Sequence, residues 1–378
     1  MRISNGSLDR ARALLSASPL IDGHNDLPWA LRELDAHDLA RIDLAERQAS
    51  THTDLIRLRE GKLGAQFWSV YVPDTLGEAA LAATLEQIDF VRRLVARYPD
   101  RLAIALTADD VLRVFGSNRI ACLLGAEGGH CIVNSLGVLR TLYALGVRYL
   151  TLTHSHTNAW ADSATDESRN GGLTRFGRDV VKEMNRLGML VDLAHVSPDT
   201  MRDALDTTEA PVIFSHSSCR AIVDHPRNVP DDVLERLRSN GGVCMVAFVP
   251  EFVSVECHAW ETALSEEMHR RGLDPHDWTA RKPVRAEFHA RHPQPAATVE
   301  HVADHVEHVR AIAGVDHVGI GSDFDGCDTL PIGLDDVSCY PNLIAVLLDR
   351  GWSEEECAKL AGGNVLRAMR KTEAVSSR

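Results

Sequence analysis

The stretch LVDLAHVSPDTMRDALDTTEAPVIFSHSS (residues 190–218) decides how the chain is read. It opens on a short apolar run, Leu190–Leu193, and ends near another, Val212–Phe214. Between them Pro198–Asp206 has helical spacing with a charged face. Short Val/Leu/Ile runs without polar alternation are what strands buried on both faces look like. Strand, helix and parallel strand make one βαβ unit. Each strand of this unit runs on to a histidine, His195 and His216.

The same unit recurs outward in both directions. Candidate strands are Pro19–Ile21, Gln66–Tyr71, Ala121–Gly125, Tyr149–Thr153, Leu190–Leu193, Val212–Phe214, Val243–Phe248 and Val318–Gly321. Helical patterns fill most of the gaps, among them Leu81–Tyr98, Gly137–Leu145, Arg178–Leu187, Asp231–Ser239 and Val299–Ile312. About eight such repeats predict an α/β fold, a (β/α)8 TIM barrel, as a single domain over residues 1–378. The run Leu102–Leu106 falls outside the count and is read as a minor strand or an extended connection. Pro250–Pro295, rich in Glu, Arg and His, is read as helices inserted between strands seven and eight over one barrel end. No Gly/Ser-rich hinge frames it as a separate domain.

Charge and cysteine usage narrow the function classes. Lys+Arg is 40 and Asp+Glu is 54, a net charge of −14. That balance argues against nucleic acid as a partner, because phosphates need cationic surface. It argues equally against docking on an anionic membrane. No run is long and apolar enough for a transmembrane helix. Met1–Ser18 lacks the apolar run of a signal peptide, and Lys371–Arg378 is too polar for a lipid-anchor tail. Eight scattered cysteines without a C-x-x-C pair suit reduced thiols. A cytoplasmic location is expected.

The strand ends carry the chemistry. Strand one runs into Asp22-Gly23-His24-Asn25-Asp26, and strand three ends at Glu127-Gly128-Gly129. Strands four, five, six and eight end at His154, His195, His216 and Asp323. In such a barrel the C-terminal strand ends form the active face. His24 and Asp26 stand at i and i+2, on one face of a strand, so both reach the same place. His24, His195 and His216 with Asp26 and Glu127 exceed what one catalytic zinc takes, which is three protein ligands and a water. The set fits two ions sharing a bridging carboxylate and a bridging hydroxide. Nitrogen and oxygen donors without thiolate favour Zn²⁺, with Mn²⁺ or Co²⁺ as substitutes. Asp323, in Gly321-Ser322-Asp323-Phe324, is not needed as a ligand and is the natural proton shuttle. His154 is either a donor to a developing oxyanion or a further ligand. Arg227, in His225-Pro226-Arg227-Asn228, is able to hold a carboxylate bidentately, although an ordinary surface arginine is the commoner case. His301, His305 and His308 are read as a solvated helix face. Gly362-Gly363-Asn364 is read as a turn into the last helix, and phosphate-loop, dinucleotide and nucleophile-elbow motifs are absent.

Taken in order, these motifs resemble those of the membrane (renal) dipeptidase family, peptidase family M19, within the metal-dependent amidohydrolase barrels. The matching segments are Ile21–Pro28, Gly125–His130, Tyr149–His154, Asp192–His195, Ser215–Ser218, Arg227–Asp232, Gly321–Gly326 and Gly362–Arg367. The resemblance implies two zinc ions, one on His24 and Asp26, the other on His195 and His216, with Glu127 between them. It implies that His154 polarises the scissile carbonyl and that Arg227 holds the substrate's terminal carboxylate, with Asn228 beside it on the substrate. Asp323 would pass a proton from the attacking hydroxide to the leaving amine. The implied reaction is hydrolysis of L-L and L-D dipeptides, and a homodimer is plausible for the family. Relatives that use a carboxylated lysine as the bridge are a poorer match, since no lysine lies near these strand ends. Animal members are secreted and lipid-anchored, so this chain looks like a bacterial, cytosolic relative. His156 stands where animal members have cysteine, which makes the substrate pocket a point of departure. The alternative is another metal-dependent hydrolase, a lactonase, β-lactam hydrolase or N-acyl-amino-acid hydrolase, on the same site. A carboxylate clamp at Arg227 would be wasted on a neutral ester. A barrel that binds without catalysis would require a lost ligand or a lost Asp323, and none is lost.

Overall fold

The structure is a computed structural model that describes residues 4–275 and 277–376. Met1–Ile3, His276, Ser377 and Arg378 lie outside the described residues, so both chain ends are described only in part. Nine strands are present among the described residues: β1 Leu20–Asn25, β2 Leu63–Ser69, β3 Leu102–Ile104, β4 Ile120–Glu127, β5 Val147–Thr151, β6 Leu190–Asp192, β7 Val212–Phe214, β8 Val243–Val246 and β9 Val318–Ile320. All pairings between them are parallel, and β1 pairs with both β2 and β9. The pairing of β2 with β4 closes the ring, so eight strands form the (β/α)8 TIM barrel. The ninth is β3, the run that fell outside the repeat. It pairs with Ile120–Cys122 of β4, whereas β5 pairs with Leu124–Glu127. Since β2 occupies the opposite edge of β4, β3 and β5 share one edge in succession.

The strands are short because the chain leaves the sheet to place side chains at its mouth. β5 stops at Thr151, three residues before His154, and β6 stops at Asp192, three before His195. The barrel interior is filled by Ile21, Phe67, Leu123, Tyr149, Ile213 and Met245. Val365, Leu366 and Met369 of the final helix, Asn364–Ser376, join that cluster and close the N-terminal end. The Gly362-Gly363-Asn364 turn is in fact part of a continuous helical path, with a wide π turn over Lys359–Gly363. A Cβ at Gly362 would lie 2.3 Å from the Pro19 carbonyl, so this close approach requires glycine.

The segment 250–295 holds helices Pro250–Val253, Val255–Arg270 and Trp278–Arg291. It has its own small core of Trp260, Leu264, Met268, Val284 and Phe288. One expectation fails. His305 does not face solvent with His301 and His308; it is fully buried, and its Nδ1 accepts the Cys219 N–H at 2.9 Å. Helical spacing showed that the three could share a face but not that the face turns inward against the β7 exit loop.

Gly125 is paired in register with Tyr149, and a Cβ there would lie 1.9 Å from the Tyr149 ring. Gly125→Ala is therefore expected to destabilise the barrel by about 1–3 kcal/mol, the usual cost of overpacking. Urea unfolding checks this, and an unchanged midpoint would contradict the packing described.

Candidate metal centre

β1 and the turn after it bring His24 and Asp26 together, with His24 Nε2 3.2 Å from Asp26 Oδ2. β4 places Glu127 opposite them. Its Oε2 is 3.5 Å from His24 Nε2, and its Oε1 is 2.9 Å from His195 Nε2 and 3.4 Å from His216 Nε2. The two oxygens of one carboxylate thus face two different groups of donors. His195 Nε2 and His216 Nε2 are 3.0 Å apart, and all five residues are buried. Burial opposes ionisation of Glu127, but His24, His195 and His216 outweigh it and hold the carboxyl well below its usual range. Among the described residues, buried Asp26 Oδ1 has no hydrogen-bond partner. Three overlapping sets of donor atoms in this cluster are close enough to hold an ion: His24, Asp26 and Glu127; Glu127, His154 and His195; and His24, His216 and Asp323. Converging imidazole nitrogens, an orphaned carboxylate oxygen and no thiolate fit divalent cations of the zinc type.

The next shell fixes which ring nitrogen faces inward. Tyr149 Oη donates to the Gly23 carbonyl at 3.2 Å and lies 2.9 Å from His24 Nδ1. The hydroxyl must then accept from Nδ1–H, which leaves the Nε2 lone pair for the centre. Ser215 repeats the device for His216. Its Oγ donates to Asp192 Oδ2 at 2.6 Å and lies 2.9 Å from His216 Nδ1. Asp192 also accepts the Ser215 N–H at 2.8 Å and the Thr151 hydroxyl at 2.5 Å. Asp22 makes the matching clasp across β1 and β9, accepting Ser322 N–H, Ser322 Oγ and Tyr340 Oη at 2.7, 2.6 and 2.6 Å.

His195 and Asp323 have left-handed backbones, φ 68° and 66°. For non-glycine residues this costs about 1–3 kcal/mol each and persists only where neighbours enforce it. The His195 carbonyl accepts Ala164 N–H at 2.7 Å, and Asp323 N–H donates to the His24 carbonyl at 3.2 Å. Asp323 Oδ1 stands 4.0 Å from His24 Nε2. Burial pushes its carboxyl up to about 7, against the pull of His24 and with Asp26 and Glu127 adding to the rise.

His154 overlooks the cluster, its ring 4.4 Å from that of His195. Its Nδ1 is 3.2 Å from Ser155 Oγ, and burial pushes its pKa down to about 3, with His195 adding to the fall. Arg227 is 4% exposed. Its guanidinium reaches Ser217 Oγ at 3.5 Å and the His216 carbonyl at 3.3 Å, with no carboxylate in ion-pair range among the described residues. Asn228 Nδ2 donates to the Val223 and Phe252 carbonyls, both at 2.9 Å, so its amide pins the turn that carries Arg227.

A family profile described as membrane dipeptidase, peptidase family M19, matches residues 8–378. The chain belongs to this family. Dipeptidase verJ of Clonostachys rogersoniana is 45% identical, covering 100% of this chain and 90% of the relative. Two solved structures share the fold: the probable dipeptidase PvdM from Pseudomonas aeruginosa and a metallo peptidase from Rhodobacter sphaeroides liganded with a phosphinate mimic of L-Ala-D-Ala. PvdM has TM-score 0.83 and 22% identity over 98% of this chain and 99% of its own. The Rhodobacter enzyme has TM-score 0.78 and 24% identity over 94% and 99%. On the strength of family and relatives, the chain is a metal-dependent dipeptide hydrolase.

The dipeptidase brings all nine sequence-derived site residues to one end of the barrel. Two neighbours were missed. Asp74 accepts both His156 N–H at 3.1 Å and His156 Nδ1 at 3.0 Å, and lies 3.9 Å from His154 Nδ1. It follows strand two, which with strand seven is one of two strand ends that carry no assigned residue, and Pro73-Asp74 is the signal there. Tyr149 reads as an ordinary core aromatic until its hydroxyl is seen on His24. Tyr149→Phe is expected to weaken divalent-metal binding about 10–100-fold, the usual effect of losing such a support. Chelator competition measures it, and unchanged affinity would remove Tyr149 from the centre.

Proposed function

We propose that this dipeptidase is a binuclear zinc enzyme that cleaves L-L and L-D dipeptides bearing a free C-terminal carboxylate. His24 and Asp26 would hold one ion, His195 and His216 the other, and Glu127 would serve both. Mn²⁺ or Co²⁺ would substitute. Divalent cations in such a site make hydroxide available near neutral pH and polarise the scissile carbonyl.

Arg227 is the observation that carries the reading. A buried guanidinium with no protein carboxylate is an unpaired charge, and a ligand carboxylate would complete it. Held there bidentately, the substrate's terminus sets the length of peptide accepted. A tripeptide puts its carboxylate one residue too far out. With Ser155 Oγ, 3.2 Å from His154 Nδ1, as the donor, the imidazole proton would stand on Nε2, where it would hydrogen-bond the oxygen that gains charge as the carbonyl is attacked. Asp323 takes the proton released by the nucleophile on its carboxylate and delivers it to the leaving amine. Eight free thiols, six of them buried, suit a reducing compartment, and the proposed location is cytoplasmic. Among the described residues no helix is long and apolar enough to cross a membrane.

Three measurements follow from these roles. Zinc-loaded protein should release amino acids from free L-L and L-D dipeptides and not from amidated dipeptides or tripeptides. Silence on every dipeptide from protein that still holds metal would reject the specificity and favour another amide or lactone substrate. Arg227→Ala should raise KM about 100-fold for free dipeptides, the scale of losing one side of a buried charge pair. An unchanged KM would sink the clamp. Asp323→Asn should keep its metal and lose about 10³-fold in kcat, whereas full activity would take Asp323 out of the proton path.

A further inference from the structure

A small open cleft lies between the helical turn Pro250–Val253 and the loop after Asp323. Glu251, Cys327 and Asp328 line it together with Glu261, Arg281 and Arg285 of the insertion. Two of its walls are chain neighbours of the site. Phe252, next to Glu251, packs on the Arg227 guanidinium at 5.2 Å and accepts Asn228 Nδ2 on its carbonyl. Cys327 Sγ donates to the Asp323 carbonyl at 3.6 Å. The cleft therefore opens beside both the proposed carboxylate clamp and the proposed proton carrier. A C-terminal residue held between those two groups would stand beside this wall.

The charges in the cleft are unevenly satisfied. Glu261 accepts Arg281 Nη2 at 2.5 Å and also Arg285 Nη1. Arg285 Nη2 donates to Gln294 at 2.9 Å, and its Nε lies 3.7 Å from Asp328. Glu251 differs. Among the described residues its carboxyl has no hydrogen bond and no ion pair, although it lines the cleft. Burial pushes it up to about 7, with Glu261 adding to the rise against the pull of Arg281, Arg285 and Arg227. A half-buried carboxyl that lacks a donor gains most from a ligand that brings one. Three carboxyl groups against two guanidiniums also disfavour an acid in the same space.

We infer that this cleft receives the side chain of the dipeptide's C-terminal residue, and that Glu251 makes it prefer a side chain ending in an ammonium or another hydrogen-bond donor over an apolar or acidic one. The inference rests on the dipeptidase specificity proposed above. Its test compares kcat/KM for L-alanyl-L-lysine, L-alanyl-L-norleucine and L-alanyl-L-glutamate, using zinc-loaded wild type and Glu251→Gln. The wild type should favour the lysine dipeptide over the norleucine one about tenfold, with the glutamate dipeptide slowest. Glu251→Gln should bring lysine and norleucine within about twofold of each other. Equal rates for lysine and norleucine in the wild type, or a full preference kept by the variant, would overturn the subsite alone. The wild-type comparison stands even if the variant fails to fold. Failure to cleave any of the three by protein that holds zinc would overturn the specificity reading and the subsite together.

Discussion

Glu127 is the constraint on which the rest of the structure depends. It is a buried carboxylate with one oxygen turned to His24 and the other to His195 and His216. Imidazole nitrogens 3.0 Å apart and an orphaned Asp26 oxygen make a costly arrangement in a protein interior unless positive charge lies among them. The donors are therefore crowded against one another and aimed at common points. The surrounding fold is what keeps them there.

That holding is done by rigid elements and by two similar clasps. Asp22 on β1 ties down Ser322 beyond β9, and Asp192 on β6 ties down Ser215 beyond β7. Each clasp fastens a strand that leads to a candidate ligand to the strand whose exit carries the next residue of the cluster. The left-handed turns at His195 and Asp323 are the local cost of aiming those side chains back over the mouth. Sites on strand ends whose side chains are locked by supporting hydrogen bonds are positioned more tightly than sites on free loops.

The barrel and the cluster of candidate ligands at its mouth were legible in the sequence for one reason. A parallel barrel puts every functional residue directly after an apolar run, so His24, Glu127, His195, His216 and Asp323 each follow a recognisable strand. Residues whose role depends on contacts across the barrel were not legible. Tyr149 reaches His24 only because Gly125 leaves room for its ring, a pairing of positions distant in sequence. Asp74 lies beyond its strand on a turn, where acidic residues are common for local reasons. His305 shares a spacing with His301 and His308 but not their surroundings, and periodicity does not say which way a face turns. The insertion was legible as helices, while the charge pattern of its cleft depends on how Arg281 and Arg285 return to Glu261.

Arg227 and the Glu127 centre divide the work in the proposed enzyme, one recognising the substrate's end and the other supplying the chemistry. The more basic of the two is the shared carboxylate. Its most direct test is the zinc content of the protein after loading and removal of free metal, compared with that of Glu127→Gln. About two ions per wild-type chain, falling to one or fewer in the variant, is the predicted result. A single ion in the wild type, or a variant that keeps two, would contradict a centre built around Glu127.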